Sequence, residues 1–276
     1  MPVDENLAED FLEEEFAESF LDACHEGELQ KVENAIASGR LTAGNLEEGL
    51  SLATARAGVK VYTDIVTVIL NSGALITEDV VDSLPGETEQ QPSVVRQFLD
   101  HGMDPNAKMS DGEPLLRFLD CVCARELLIR GADPNVTGPS QQTPLRRTMI
   151  SGKIDKAELL LEYGAKLESD FLFITAAPRR TYGLLMTKFL LDRGADPNVT
   201  SQEWGTPLHL AVYAKNPNIV KLLLDAGADP TARSVGTKYL GHSPLEIAQH
   251  PLHQQTDVTR TILDFLRFQR TWKPAL

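Results

Sequence analysis

A glycine stands near every thirtieth residue of this chain, each just after an aliphatic run, and no other feature limits the possible folds so tightly. The endings HGMDPN (101–106), RGADPN (130–135), YGAKLE (163–168), RGADPN (193–198) and AGADPT (226–231) share one pattern. With SGR at 38–40 and SGA at 72–74, the glycines fall at 39, 73, 102, 131, 164, 194 and 227, in steps of 34, 29, 29, 33, 30 and 33 residues. A glycine after a helix supplies the left-handed residue that ends it, and Asp-Pro then turns the chain away.

The stretch TPLHLAVYAKNPNIVKLLLDAGADP (206–230) shows what lies between two such endings. Thr206 can cap a helix and Pro207 suits its first turn, where a missing N–H costs nothing. Leu208, Leu210, Ala211 and Val212 make a short apolar helix, which Asn216-Pro217-Asn218 breaks. Ile219, Val220, Leu222, Leu223 and Leu224 form the buried side of a second helix. Starts of this kind recur at Thr143-Pro144-Leu145-Arg146 and Ser243-Pro244-Leu245-Glu246, and in part at Glu113-Pro114-Leu115-Leu116.

A period near 33 with a T-P-L-H helix start resembles the ankyrin repeat, and the resemblance covers almost the whole chain. It implies an all-α solenoid of stacked helix–turn–helix units with loop or β-hairpin fingers. One helical pair cannot bury its apolar faces alone, so neighbouring repeats must stack. Eight repeats are counted, caps included. The first is 18–39, with Ala23, Leu29, Val32 and Ile36 inward, and the last is 243–268. The expected divisions are an acidic helical extension over 1–17, the repeat domain over 18–268 and a tail over 269–276. Repeat 113–131 is short and must trim its helices or turn. Repeat 171–194 lacks Thr-Pro and carries an insertion around 178–183. The polar segment 85–93 joins the two helices of the third repeat.

Composition narrows the function. Residues 1–100 hold 21 Asp and Glu against 5 Lys and Arg, while the remainder holds 19 against 21. A nucleic acid is therefore not an expected partner. No run is apolar enough to span a membrane, and the opening residues lack a secretory leader's basic and apolar parts. Three cysteines, Cys24, Cys121 and Cys123, suit a reducing compartment, so cytoplasm or nucleus is expected. The acidic stretch 4–22, with nine carboxylates and Phe11, Leu12, Phe16, Phe20 and Leu21 at helical spacing, reads as an amphipathic helix. It serves either as a solvated outer face or as a dock for a basic partner.

Signatures of catalysis are absent: there is no phosphate loop, nucleophile elbow or H-E-x-x-H helix, so no catalytic residue and no cofactor is assigned. His242, His250 and His253 lack companion ligands at metal spacing, and no metal is assigned. Cys121 and Cys123 point to different faces of a helix and are expected to pack. By resemblance, His209 hydrogen-bonds backbone between adjacent repeats.

The resemblance also implies a concave surface of entry loops and inner helices where family members bind partners. Carried over by position, its loop residues are Ser140, Gln141, Gln142, Gln202, Glu203, Trp204, Lys238, Tyr239 and His242. Its inner-helix residues are Ile150, Ser151, Arg179, Arg180, Tyr213 and His250. Trp204, Tyr213 and Tyr239 are interface-type anchors, although the Trp204 ring can instead fold onto the next loop. Arg146-Arg147 and Arg179-Arg180 are expected to form a basic strip suited to carboxylates or phosphates. The expected function is a non-catalytic adaptor or inhibitor, monomeric alone, that binds another protein through Arg146, Arg147, Arg179, Arg180, Tyr182, Trp204, Tyr213, Tyr239 and His242. The alternative is a small-molecule-binding or catalytic pocket near Arg179, Tyr182, Trp204 and Tyr213.

Overall fold

The computed structural model describes residues 5–250 and 256–269, with side chains over 12–250 and 256–268. Among these residues lie fifteen α-helices, one 3₁₀ turn and two isolated antiparallel bridges, Lys108 with Pro114 and Ser201 with Gly205. The chain divides into two compact units, Met1–Pro144 with Glu162–Gly164, and Leu145–Leu161 with Ala165–Leu276.

The first unit holds α1 (Glu5–Glu26), α2 (Leu29–Ala37), α3 (Ala43–Thr54), α4 (Lys60–Asn71), α5 (Glu78–Asp82), α6 (Pro92–Asp100), the 3₁₀ turn (Leu115–Arg117) and α7 (Cys121–Ile129). Here α1 packs on α3 and α3 on α5, while α2, α4, α6 and α7 form a second row. The second unit holds α8 (Pro144–Ser151), α9 (Ile154–Glu162), α10 (Phe171–Ala176), α11 (Gly183–Asp192), α12 (Pro207–Tyr213), α13 (Pro217–Asp225), α14 (Pro244–Gln249) and α15 (Asp257–Gln269). Its α10, α12 and α14 stack in one row, and α11, α13 and α15 in another. Within each unit first helices pack on first helices and second on second, which is the solenoid arrangement.

Burial follows the sequence pattern. Ile65, Val66, Ile69 and Leu70 of α4 are buried, as are Val94, Val95, Phe98 and Leu99 of α6 and Ile219, Val220, Leu223 and Leu224 of α13. The spacing i, i+1, i+4, i+5 is one stripe of a helix. Each such aliphatic side chain taken from water contributes about 1.5–3 kcal/mol. Helices of nine residues are too short to persist on propensity alone, so this stripe holds them.

Several local features differ from the sequence reading. Helix α1 runs unbroken past residue 17, so the acidic extension and the first repeat's opening helix are one element. Ala23 and Val32 are buried, whereas Leu29 and Ile36 are only half-buried. Arg40 ties α1 down, with its guanidinium 4.1 Å over the Phe16 ring and 3.0 Å from Glu13. In the short repeat the trimming falls on the first helix, reduced to one 3₁₀ turn. Cys123 is buried and Cys121 half-buried. Burial pushes the thiol of Cys24 up to about 12, which leaves it unreactive.

All seven repeat-ending glycines are left-handed, with φ between 70° and 93°. At 227 the Gly N–H donates to Leu224 O (3.0 Å) and the Ala228 N–H to Leu223 O (2.9 Å). The pairs 194/195, 131/132 and 102/103 do the same, and these are Schellman endings. Within each Asp-Pro-Asn the aspartate Oδ1 accepts from the asparagine N–H, at 2.8 Å for Asp196 and Asn198. The asparagine side chain then reaches the next repeat's ending: Asn198 accepts from Asp229 N (2.8 Å) and donates to Gly227 O (3.0 Å).

Two further rows of links join repeats. On the second helices, Arg96 pairs with Glu126, Arg130 with Asp100 and Arg193 with Glu158. At the helix starts, Arg117 donates to Glu113 (2.5 Å), Ser140 Oγ (2.8 Å) and Gln142 Oε1 (2.9 Å), and Glu113 accepts from Ser140 N (2.7 Å). Burial alone would raise the Glu113 carboxyl, but the Ser140 and Arg117 hydrogen bonds hold it below the ordinary range.

His209 does the equivalent work in its repeat. Its Nδ1 accepts from Thr206 N (3.1 Å), which fixes the proton on Nε2, and Nε2 donates to His242 O (3.1 Å). The ring is fully buried, and burial lowers its pKa below the usual value.

Two outcomes follow from these contacts. Open space surrounds a side chain added at Gly227, so Gly227→Ala should cost about 1 kcal/mol through φ alone. Lys215, left-handed at φ 55°, should accept glycine with a gain of about 0.5 kcal/mol. Urea melts of both variants check the two signs. His209 binds a proton less readily folded than unfolded, so it favours folding above about pH 6.5 and disfavours it as pH falls below that. Thermal melts from pH 7.5 down to 5 should show a loss that His209→Gln reduces, separate from the carboxylate losses below about pH 4.5.

Candidate functional site

In the second unit two fingers, built on 201–205 and 234–242, are held together through backbone. Thr237 N donates to Gln202 O (2.9 Å) and Lys238 N to Glu203 O (3.0 Å). The approach is close enough to demand glycine: a Cβ at Gly236 would stand 2.4 Å from Gly205 N and 2.6 Å from Glu203 O. Ser234, buried beneath, accepts from Gly236 N (3.0 Å). Trp204 N donates to Ser201 Oγ (2.9 Å), which closes the first finger.

This pairing aligns aromatic rings from three segments. Trp204 lies 4.9 Å from Tyr213 of α12, centroid to centroid, and Tyr213 lies 5.9 Å from Tyr239 of the second finger. His242 meets Tyr239 edge-on at 6.4 Å. The tilted geometries are those aromatic pairs prefer. Trp204 and Tyr239 are half-buried while Tyr213 is 39% exposed, so the ladder rests on the core with part of its surface open to water. Lys238 Nζ stands 5.7 Å over the Trp204 ring. Burial, with Tyr213 nearby, raises the Tyr239 hydroxyl above its ordinary pKa and keeps it a donor at neutral pH.

Beside the ladder runs a cleft of about 430 Å³ between the first finger and the end of α10. Phe173, Ile174, Leu210 and Trp204 form its apolar walls, with Asp170 and Arg180 at its edges. Arg180 belongs to the loop 177–182 that joins α10 to α11, where Arg179 takes a left-handed backbone (φ 61°) and Gly183 N donates to Arg180 O (3.2 Å).

The residues singled out in the sequence do not all gather here. Arg179 and Arg180 lie beyond α10, in the loop, and not on the inner helix. Arg146 and Arg147 lie near the start of α8, and the Asp170 that pairs with Arg146 lines the cleft together with Arg180. Arg146 is also engaged, paired with Asp170 and, at 2.8 Å, with Glu168; the Asp170 hydrogen bond foremost raises its pKa. Arg147 is half-buried. Tyr182 faces elsewhere: a Cβ on Gly152 would come 2.3 Å from its Cγ, so the ring covers the α8–α9 turn. The pocket imagined around Arg179, Tyr182, Trp204 and Tyr213 is thus replaced by a cleft lined by Arg180 and Trp204. Ser140 and Gln142 are held by Arg117, and Ile150 is exposed. His242 bonds Leu240 O (3.2 Å), and among the described residues no three His, Cys, Asp or Glu gather as a metal set. His253 lies outside the described residues. No described helix is long and apolar enough to cross a membrane.

Comparison with known proteins agrees with this architecture. Residues 190–248 match the family described as ankyrin repeats (many copies). The fowlpox virus (strain NVSL) protein FPV222, named as an ankyrin repeat protein, is 32% identical over 131 residues, 42% of this chain, and the chain spans only 16% of its length. A second fowlpox virus protein so named, FPV223, is 34% identical over 99 residues, 35% of this chain and 69% of its own length. Among solved structures, the ankyrin repeat domain of Bcl-3 superposes with a TM-score of 0.59 at 22% identity, over 79% of this chain and 97% of that domain. With its left-handed glycine endings, its rows of stacked helices and its paired fingers, the chain belongs to the ankyrin repeat family.

Proposed function

We propose that this chain is a non-catalytic binding module, an adaptor or inhibitor, that holds a partner protein against the finger face of its second unit. Ankyrin repeat domains are in general protein–protein interaction modules. The observation that supports this face in particular is the ladder Trp204, Tyr213 and Tyr239, kept part-exposed on a rigid support. Tryptophan and tyrosine offer large contact area with little conformational entropy to lose, so they serve as interface anchors. The sparse, odd set of cysteines, Cys24, Cys121 and Cys123, supports a reducing compartment, and on that ground we propose cytoplasm or nucleus.

The experiment isolates a partner by affinity capture on the tagged chain, then measures affinity and melting on the same variants. Trp204→Ala should weaken binding by about 2 kcal/mol, the size of a hot-spot loss, with little change in melting. Unchanged affinity in a folded Trp204→Ala variant would remove the finger face as the binding surface. Gly236→Ala should also weaken binding, because its methyl forces the two fingers apart while the helical core of α12 and α13 stays intact. Normal helical circular dichroism with weakened binding is the expected combination.

A further inference from the structure

We propose that the cleft beside Trp204 receives a short peptide segment in which a large apolar side chain is closely followed by an Asp or Glu carboxylate, and that Arg180 takes the carboxylate. The inference rests on the reading of the finger face as a partner-binding surface, and it names the partner's chemistry. Phe173, Ile174, Leu210 and Trp204 offer an apolar wall with room, at about 430 Å³, for one bulky side chain and its adjoining backbone. Such a wall recovers little from a polar occupant and favours an aliphatic or aromatic one.

Charge decides the rest. In this unit the arginines near acids are already paired: Arg146 with Glu168 and Asp170, Arg193 with Glu158, Arg233 with Glu246. Arg180 lines the cleft, is exposed, and has no carboxylate within ion-pair distance among the described residues. The acids that share the cleft are occupied, Asp170 by Arg146 and Glu203 by Lys238 at 4.0 Å. Among the described residues Arg180 is the one cation that lines the cleft, although the chain as a whole carries a formal −14. A guanidinium presents a planar fork that matches a carboxylate with two parallel hydrogen bonds.

Fluorescein-labelled peptide pools test this by anisotropy. Each pool has a Gly, Ser and Ala background with one Leu or Phe, followed two positions later by Glu, Gln or Lys. The Glu pool should bind about tenfold more tightly than the Gln pool, the range of a hydrogen bond to a charged group. Arg180→Ala should erase that preference and leave the Gln pool's affinity unchanged, and added salt should narrow the gap. Trp204→Ala should weaken every pool. Equal affinity for Glu and Gln, or a preference that survives Arg180→Ala in a folded variant, overturns the proposal. Should no pool bind while a captured partner still depends on Trp204, the peptide assignment falls and the finger-face reading stands. If the pools show the expected pattern but a captured partner ignores Trp204→Ala, the cleft chemistry is upheld and that partner's site lies elsewhere.

Discussion

Each of the first seven repeats depends on a left-handed glycine at the end of its second helix. Without it the helix would run on, the Asp-Pro-Asn turn would not form, and the next first helix would start in the wrong place. Glycine fills the position because a side chain there would strain the backbone, not because space is short: nothing lies within 4 Å of a Cβ added at 73, 102, 131, 164, 194 or 227. Once the helix stops, the freed carbonyls are taken by the next two amides, and the turn becomes rigid enough for its asparagine to reach the neighbouring repeat.

That geometry passes to the candidate site through side chains. His209 caps its own helix through Thr206 and holds the next finger through His242 O, so the two fingers that carry Trp204 and Tyr239 share one anchor. The glycines at 205 and 236 then allow the backbones to close, and the rings fall into contact. The aromatic ladder is thus a consequence of repeat stacking, placed on elements whose own packing leaves them little freedom.

The architecture was largely legible in the sequence because a glycine stop, a Pro at a helix start and an i, i+1, i+4, i+5 stripe are local signals repeated at fixed spacing. Trp204, Tyr213 and Tyr239 could be singled out by residue type and repeat position, but their mutual contact could not, since it depends on the close approach at Gly205 and Gly236. The arginines were read less well. Arg146 and Arg180 look alike in sequence, and what separates them is the entry segment Glu168–Asp170, whose acids pair with Arg146 across 22 and 24 residues of chain. The network of Glu113, Arg117, Ser140 and Gln142 has no local signature in the sequence. Its repeat has no histidine at the motif position, and an arginine one residue later performs the link.

If stability passes from neighbour to neighbour through such links, a break in one should be felt locally. The most direct measurement is amide hydrogen exchange on Arg117→Ala against the parent chain. The account expects faster exchange over residues 110–118 and 138–143, whose polar groups Arg117 joins, with protection at 206–227 unchanged. Uniform loss across both regions, or undiminished protection at 138–143, would contradict it.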